Sequence, residues 1–167
     1  EQTLDDLSFV FIETVAKLRP KCMIMENVKG LLLGEAWKYV QEIYLQLNTA
    51  GYRVKHWLCK GENMGVPQKR HRVFFIALRD DVDFDIHSLD MSFNYEPVTY
   101  GMIKSEKGDE FAKKAKEGKM YKLLLQAKPT DKDLCEIIVR NGGKPTCFNQ
   151  KIIHDDEVCV TIRASHT

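Results

Sequence analysis

The chain has 167 residues, 44% of them hydrophobic, and a net charge of +1. These values are typical of a globular protein of one domain or one and a half, and they do not mark a nucleic-acid-binding protein. The five cysteines are odd in number and include no Cys-x-x-Cys pair, which disfavours both a zinc site and a disulfide framework. We find no signal-peptide pattern and no apolar run long enough to cross a membrane, so we expect a cytoplasmic location without membrane contact.

Helical and strand patterns alternate over the first 80 residues. Apolar residues recur at helical spacing from Leu7 to Leu18, with Thr3 as the predicted N-cap and Pro20 as the stop. A second helix is predicted at 35–47 and strands at 22–25, 52–59 and 72–78. Strand, helix and strand indicate half of a doubly wound α/β sheet, and the helix-free loop before the last strand predicts an antiparallel pair. Cys22 and Cys59 lie in apolar strands and are predicted to be buried.

The composition changes after residue 80. Residues 80–100 are polar and rich in turn formers, and helices are predicted at 109–116, 120–127 and 131–140 before a short strand at 158–162. Between Lys104 and Lys132 there are nine lysines and five acidic residues. Such an excess is compatible with phosphate binding, but a solvated helical face is its more common cause.

The stretch from Gly65 to Leu78 combines a turn signal, a polar patch and an apolar strand. If the chain is extended from Gln68 onwards, alternation places Gln68, Arg70 and Arg72 on one face. Three planar hydrogen-bonding groups in a row suit a flat polar ligand such as a nucleobase, or phosphate oxygens. A solvated basic edge ahead of a core strand is the alternative interpretation.

A second motif, Glu26-Asn27-Val28, follows the apolar strand predicted at 22–25. A carboxylate and an amide at the C-terminal end of a strand lie where open α/β sheets bind their ligands. Together with Gln68-Lys69-Arg70-His71-Arg72 and the Gly-Val-Pro before it, this motif resembles the DNA (cytosine-5)-methyltransferases. That family carries Glu-Asn-Val on one strand and, further along, Gln-x-Arg-x-Arg preceded by Gly-Val/Ile-Pro.

The resemblance implies a fold and a division of the chain. The fold would be α/β: a partial, doubly wound Rossmann-like sheet of the S-adenosylmethionine-dependent methyltransferases, with an antiparallel last strand and a small mixed α+β region after it. Residues 1–80 would form the C-terminal half of the catalytic core, 81–157 the target recognition region, and 158–167 the start of the return to the core. S-adenosylmethionine is the implied cofactor and double-stranded DNA the implied partner, with no metal.

The resemblance also implies a mechanism. In this family a cysteine thiolate adds to carbon 6 of a flipped-out cytosine, which activates carbon 5 for methyl transfer. Glu26 would be the catalytic carboxyl group at ring nitrogen N3, and it could also accept a bond from the exocyclic amine. Arg72 would bind the carbonyl oxygen O2, where charge accumulates.

The remaining candidate residues would support these two. Arg70 would belong to the catalytic site. Arg70 and Gln68 would hold the shape of this site or contact the DNA backbone. Asn27 would support the pocket, and Leu7 falls where the family has a motif near the cofactor. The five histidines lack a partner spacing, and the sequence assigns them no role.

The chain departs from the family pattern in two places. The glycine-rich Phe-x-Gly-x-Gly loop is absent, and none of the five cysteines follows a proline as the family nucleophile does. We therefore expect a fragment of a bacterial or phage enzyme of a restriction-modification system, inactive alone, whose cofactor is bound mainly by a missing N-terminal half. The cut sheet would leave an open edge, with a risk of self-association. Two other readings stay open: a catalytically dead relative that binds DNA or a partner, and a transfer-RNA cytosine-5 methyltransferase.

Overall fold

The computed structural model describes residues 4–105, 118–145 and 150–161. Within them, the chain separates into two compact units, one drawn from Glu1–Asn63 and His71–Asn94 and the other from Met64–Arg70 and Tyr95–Thr167. In chain order the helices and strands are α1 (Leu4–Leu18), β1 (Cys22–Val28), α2 (Trp37–Thr49), β2 (Tyr52–Lys60), β3 (Gln68–Lys69), β4 (His71–Arg79), α3 (Tyr100–Ile103), α4 (Lys119–Leu124), α5 (Leu134–Arg140) and β5 (Cys159–Val160). None of the described helices is both long and apolar enough to span a membrane.

A three-stranded sheet in the order β1-β4-β2 forms the centre of the first unit. Strand β4 is antiparallel to both neighbours, which confirms the predicted antiparallel pairing of the second and third strands. Strands β1 and β2 therefore run parallel to each other, and α2 makes the crossover between them. The sheet is thus a partial doubly wound sheet whose last strand lies, reversed, between two parallel ones.

Helices α1 and α2 pack on one face of this sheet because each carries apolar residues at helical spacing. The helical contribution comes from Ile12, Val15, Val40, Ile43 and Leu47, and the strands add Met23, Met25, Tyr52, Val54, Val73, Phe75 and Ala77. Burying each large apolar side chain contributes roughly 1.5–3 kcal/mol before entropy costs. This layer fixes which face of β1 and β4 points away from the helices.

The helix and strand boundaries differ slightly from the predicted ones. Helix α2 begins two residues after the predicted start at residue 35, because the turn Gly34–Ala36 is a 3-10 helix. Gly51, at φ 80°, follows the C-terminal end of α2 in the left-handed conformation that glycine adopts without strain. Cys59 is buried as predicted, but Cys22 is exposed, because it lies on the sheet face opposite α1.

The second unit contains three short helices and the parallel pair of β3 and β5. Asp131 is buried at 4% exposure and binds Arg140 Nη1 through Oδ1 at 2.8 Å. The guanidinium holds the pKa of Asp131 below its ordinary value, helped by the backbone N–H of Lys128. Because Asp131 points inward, α5 starts later than the predicted 131, and the side chain of Asp133 caps it by accepting from the Glu136 N–H. The helix predicted at 109–116, the N-cap Thr3 and Ile162 lie outside the described residues.

The pair formed by His56 and Tyr44 predicts how stability depends on pH. The Tyr44 hydroxyl lies 2.7 Å from His56 Nδ1, and the imidazole also packs against Phe75. Burial lowers the pKa of His56 below its ordinary value of 6.5, so the fold favours the neutral ring. The resulting stabilisation of the fold is complete at pH values above the pKa that His56 has in the unfolded chain. It is lost as the pH falls from that value through the lower pKa of His56 in the folded state, and the loss is at most about 1.4 kcal/mol per pH unit.

Urea unfolding between pH 8 and pH 5 measures this dependence. A His56→Phe variant should have a flatter acid limb than the unmodified chain, whereas His87→Asn, at an exposed position, should keep the original limb. Equal slopes for the unmodified chain and His56→Phe would show that His56 does not cause the acid sensitivity.

Candidate active site at the carboxyl end of β1

The sheet register brings the two sequence motifs together. Strand β1 ends with Glu26, Asn27 and Val28, and β4 begins at the same edge because it runs in the opposite direction. Val28 pairs with Arg72, and residues two apart on a strand share a face, so Glu26 and Arg72 are diagonal neighbours. Accordingly, Glu26 Oε1 lies 2.6 Å from Arg72 Nε.

The guanidinium of Arg72 has a second contact in the same unit. Its Nη1 donates to the backbone carbonyl of His71 at 2.8 Å. The side chain of Arg72 is 22% exposed and that of Glu26 is 47% exposed, so the pair is open to a ligand from solvent. A carboxylate beside a guanidinium offers acceptor and donor groups together, which is the combination that recognises a flat polar edge.

Asn27 points to the helix side of the sheet, opposite Glu26. Its Nδ2 donates to Ser8 Oγ of α1 at 3.2 Å, and its Oδ1 accepts from the Val28 N–H at 2.7 Å. The amide thereby ties the end of β1 to α1. The arrangement is consistent with a supporting role for Asn27 rather than direct contact with a ligand.

A cleft of about 380 Å³ runs beside this strand end. It is lined by Leu7, Ser8 and Phe11 of α1 and by residues 24–28 of β1. Leu7 is 65% exposed. Apolar walls with the polar groups of Ser8 and Glu26 suit a ligand that combines a ring with polar substituents. Among the described residues, no group of three or more His, Cys, Asp and Glu side chains is placed to hold a metal ion.

Gln68 and Arg70 are positioned differently from the expectation of one continuous extended run. Gln68 lies in β3, which pairs with β5 in the second unit, and Arg70 belongs to neither β3 nor β4. The Gln68 N–H bonds to the Val66 carbonyl at 2.7 Å, and the Arg70 N–H bonds to the Gln68 carbonyl at 2.8 Å. These local turns replace the ladder of a single strand. The alternation argument that aligned Gln68, Arg70 and Arg72 therefore does not hold.

Glu62 and His71 form a pair beside Arg72 that the sequence analysis did not select. His71 Nε2 donates to Glu62 Oε1 at 2.7 Å, and both side chains are largely buried. Burial alone would raise the pKa of Glu62, but the hydrogen bond from His71, a hydrogen bond with the backbone of Glu62 itself, and the charges of His71 and Lys60 together hold that pKa below its ordinary value. Two residues that meet across a loop leave no periodic signal, and only the fold reveals the contact.

Comparison with known proteins places this chain in a family. The family model for C-5 cytosine-specific DNA methylases matches residues 1–152. The type II methyltransferase M.BspRI of Lysinibacillus sphaericus is 32% identical over 91 residues, 54% of this chain and 20% of the relative. The type II methyltransferase M.AplI of Arthrospira platensis is 28% identical over 153 residues, 92% of this chain and 39% of the relative.

A solved structure agrees on the fold. It is a putative DNA modification methyltransferase encoded within a prophage of E. coli, 17% identical, with a TM-score of 0.55 over 94% of this chain and 57% of the other. The predicted α/β fold class, a partial Rossmann-like sheet with an antiparallel strand, is therefore confirmed. The chain spans between a fifth and two fifths of the length of the two curated relatives. On the match of the family model to most of its length, the chain belongs to the C-5 cytosine-specific DNA methylase family.

Proposed function

We propose that this chain is part of an enzyme that transfers a methyl group from S-adenosylmethionine to carbon 5 of cytosine in double-stranded DNA. The observation that carries the proposal is the contact of 2.6 Å between Glu26 and Arg72, each from one of the two family motifs. The relatives named above are type II methyltransferases of bacteria, which supports a bacterial or phage origin, a cytoplasmic location and a role beside a restriction enzyme.

Glu26 and Arg72 would act on the atoms where charge develops. Carbon 5 of cytosine is a poor nucleophile until a thiolate adds to carbon 6, and this addition pushes negative charge onto N3 and O2. A protonated Glu26 carboxyl would donate to N3, while its second oxygen accepts from the exocyclic amine. The Arg72 guanidinium would donate to O2. The cytosine must leave the DNA helix to reach both groups.

The contacts already made in the structure would limit reorganisation when the base arrives. Arg72 is held by Glu26 on one side and by the His71 carbonyl on the other. A donor that is fixed before the reaction stabilises developing charge more effectively than one that must first be ordered. Asn27 would add support from behind through Ser8, because the end of β1 cannot shift without breaking that bond.

The cleft beside β1 would accommodate part of the cofactor. S-adenosylmethionine supplies a methyl group on a sulfonium centre, and its adenosine part combines an apolar ring with polar edges. Leu7 and Phe11 would provide the apolar wall of this cleft, and most of the cofactor's contacts would come from an N-terminal part of the enzyme. Gln68 and Arg70 would contact the DNA backbone or hold the loop that follows Gly65.

The second half of the chain would choose the DNA site. We assign residues 81–157 to target recognition, 1–80 to the catalytic core and 158–167 to the return to that core. The lysine-rich stretch from Lys104 to Lys132 would lie near phosphate, where each contact adds to affinity and to its dependence on salt.

Substitution of Glu26 tests the proposed reaction. The complete open reading frame that contains these residues should form 5-methylcytosine in DNA, and Glu26→Gln should lower kcat about 100-fold or more, because the variant cannot donate a proton to N3. Glu13→Gln, at an exposed position on α1, is the control and should keep full activity. Mass spectrometry of hydrolysed DNA gives the product directly.

The alternative results are distinct. A complete protein that binds DNA but forms no 5-methylcytosine would indicate a catalytically dead relative. If the complete protein methylates transfer RNA and not DNA, the substrate is transfer RNA and the proposed DNA substrate is wrong. Full activity of Glu26→Gln would remove Glu26 from the mechanism while leaving the family unchanged.

We also propose that the 167 residues alone do not complete the reaction. None of their cysteines follows a proline, so the family's nucleophile motif is not among them. The isolated chain should show no methyl transfer and no measurable heat of S-adenosylmethionine binding by calorimetry. Its β1 edge is expected to favour dimers or larger species in light scattering, since β1 pairs only with β4 among the described strands. Turnover by the isolated chain would refute this proposal.

A further inference from the structure

We propose that Glu62 and His71 form a positioning clasp for Arg72 and, through it, for Glu26. The inference rests on the proposed function, because Arg72 and Glu26 are there assigned to the cytosine. Glu62 lies outside the two motifs that identify the family, His71 occupies a variable position of Gln-x-Arg-x-Arg, and no contact with substrate is assigned to either residue. They would act by holding the residue that does make contact.

The position of His71 in the sheet explains why a clasp is needed there. His71 is the first residue of β4 and pairs with Lys60, the last residue of β2. This is the final rung of the β2–β4 ladder, and terminal rungs open most easily. Residues 61–70 connect the two strands, with Glu62 in the 3-10 turn Gly61–Met64. The contact of 2.7 Å between Glu62 and His71 therefore joins this turn to the last rung of the ladder.

Three contacts in series link the clasp to the proposed catalytic carboxyl. Glu62 Oε1 holds His71 Nε2 at 2.7 Å, the His71 carbonyl accepts from Arg72 Nη1 at 2.8 Å, and Arg72 Nε meets Glu26 Oε1 at 2.6 Å. If the His71 peptide turns, its carbonyl leaves Arg72 Nη1. The guanidinium is then fixed at one point only and can rotate away from the oxygen it should bind.

Burial makes the contact between Glu62 and His71 specific. The side chain of Glu62 is 17% exposed, and its Oε2 is buried without a hydrogen-bond partner among the described residues. A largely buried carboxylate that loses its partner is strongly destabilised in its charged form. Loss of His71 would leave Glu62 Oε1 without the side-chain partner that it has in the structure. The same contact that satisfies Glu62 orients the start of β4.

Replacing His71 by glutamine or by asparagine tests whether the position of the side-chain N–H matters, because both replacements carry the same polar amide group. A glutamine carries its side-chain N–H close to where histidine has Nε2, whereas the shorter asparagine carries it close to Nδ1. His71→Gln should therefore keep the hydrogen bond to Glu62, and His71→Asn should lose it. Glu62→Ala removes the other half of the clasp, and Asp81→Ala breaks the Arg79–Asp81 ion pair near the opposite end of β4 as a control.

The first readout is methyl transfer by the complete protein. His71→Asn and Glu62→Ala should each lower kcat about tenfold, with KM for DNA unchanged within about twofold, because a small misplacement affects the transition state more than binding. His71→Gln and Asp81→Ala should keep kcat within about twofold of the unmodified enzyme. The double variant Glu62→Ala with His71→Asn should be no worse than either single one, since both remove one contact.

The second readout needs no turnover. Hydrogen exchange of the peptide covering residues 70–74 should be faster in His71→Asn than in His71→Gln, and unchanged in Asp81→Ala. Equal kcat for His71→Asn and His71→Gln, or equal exchange in both, would overturn the clasp. If the unmodified protein forms no 5-methylcytosine, the proposed function fails first, and the exchange comparison alone decides whether the clasp exists.

Discussion

The antiparallel insertion of β4 between β1 and β2 is the constraint on which the site depends. In a purely parallel sheet the start of one strand lies far from the end of its neighbour. Here the reversed strand begins where β1 ends, so that Arg72 and Glu26 meet although 45 residues of chain, numbers 27–71, lie between them. The helices on the opposite face hold this register in place through Met25, Val73 and their apolar neighbours.

The polar contacts around the site lie on two opposite faces of the sheet, because successive residues of β1 point to opposite sides. Even-numbered residues of β1 face away from the helices and supply Glu26, while Asn27 faces α1 and binds Ser8. The sheet thus separates the group proposed to touch the base from the group that anchors the strand. The anchor Asn27 directly follows Glu26 in the sequence, so a shift of the strand end affects both.

The sequence predicted the helices, strands and antiparallel pairing well where the apolar periodicity was strong, as in α1, α2 and β4. The order of the motifs also pointed to Glu26 and Arg72; the structure brings these two side chains into contact, and their catalytic role stays a prediction. The sequence failed for Cys22, because an apolar strand sequence does not reveal which face stays open, and for the start of α5, because the inward pairing of Asp131 with Arg140 is a long-range contact. The turn at Arg70 and the contact of Glu62 with His71 also depend on tertiary structure, which local patterns do not encode.

The alternation of β1 also protects the site against misassembly. A slip of one residue between β1 and β4 would bring Glu26 to the helix side and expose Met25, so a carboxylate would enter the apolar layer and a large side chain would leave it. Both changes cost free energy, and the same slip would separate Glu26 from Arg72. A misaligned sheet is therefore less stable than the native one, and the register brings Glu26 and Arg72 to the same end of the sheet before any local contact orients their side chains. The register of β1 thus determines both whether the sheet buries its apolar face and whether Glu26 lies next to Arg72.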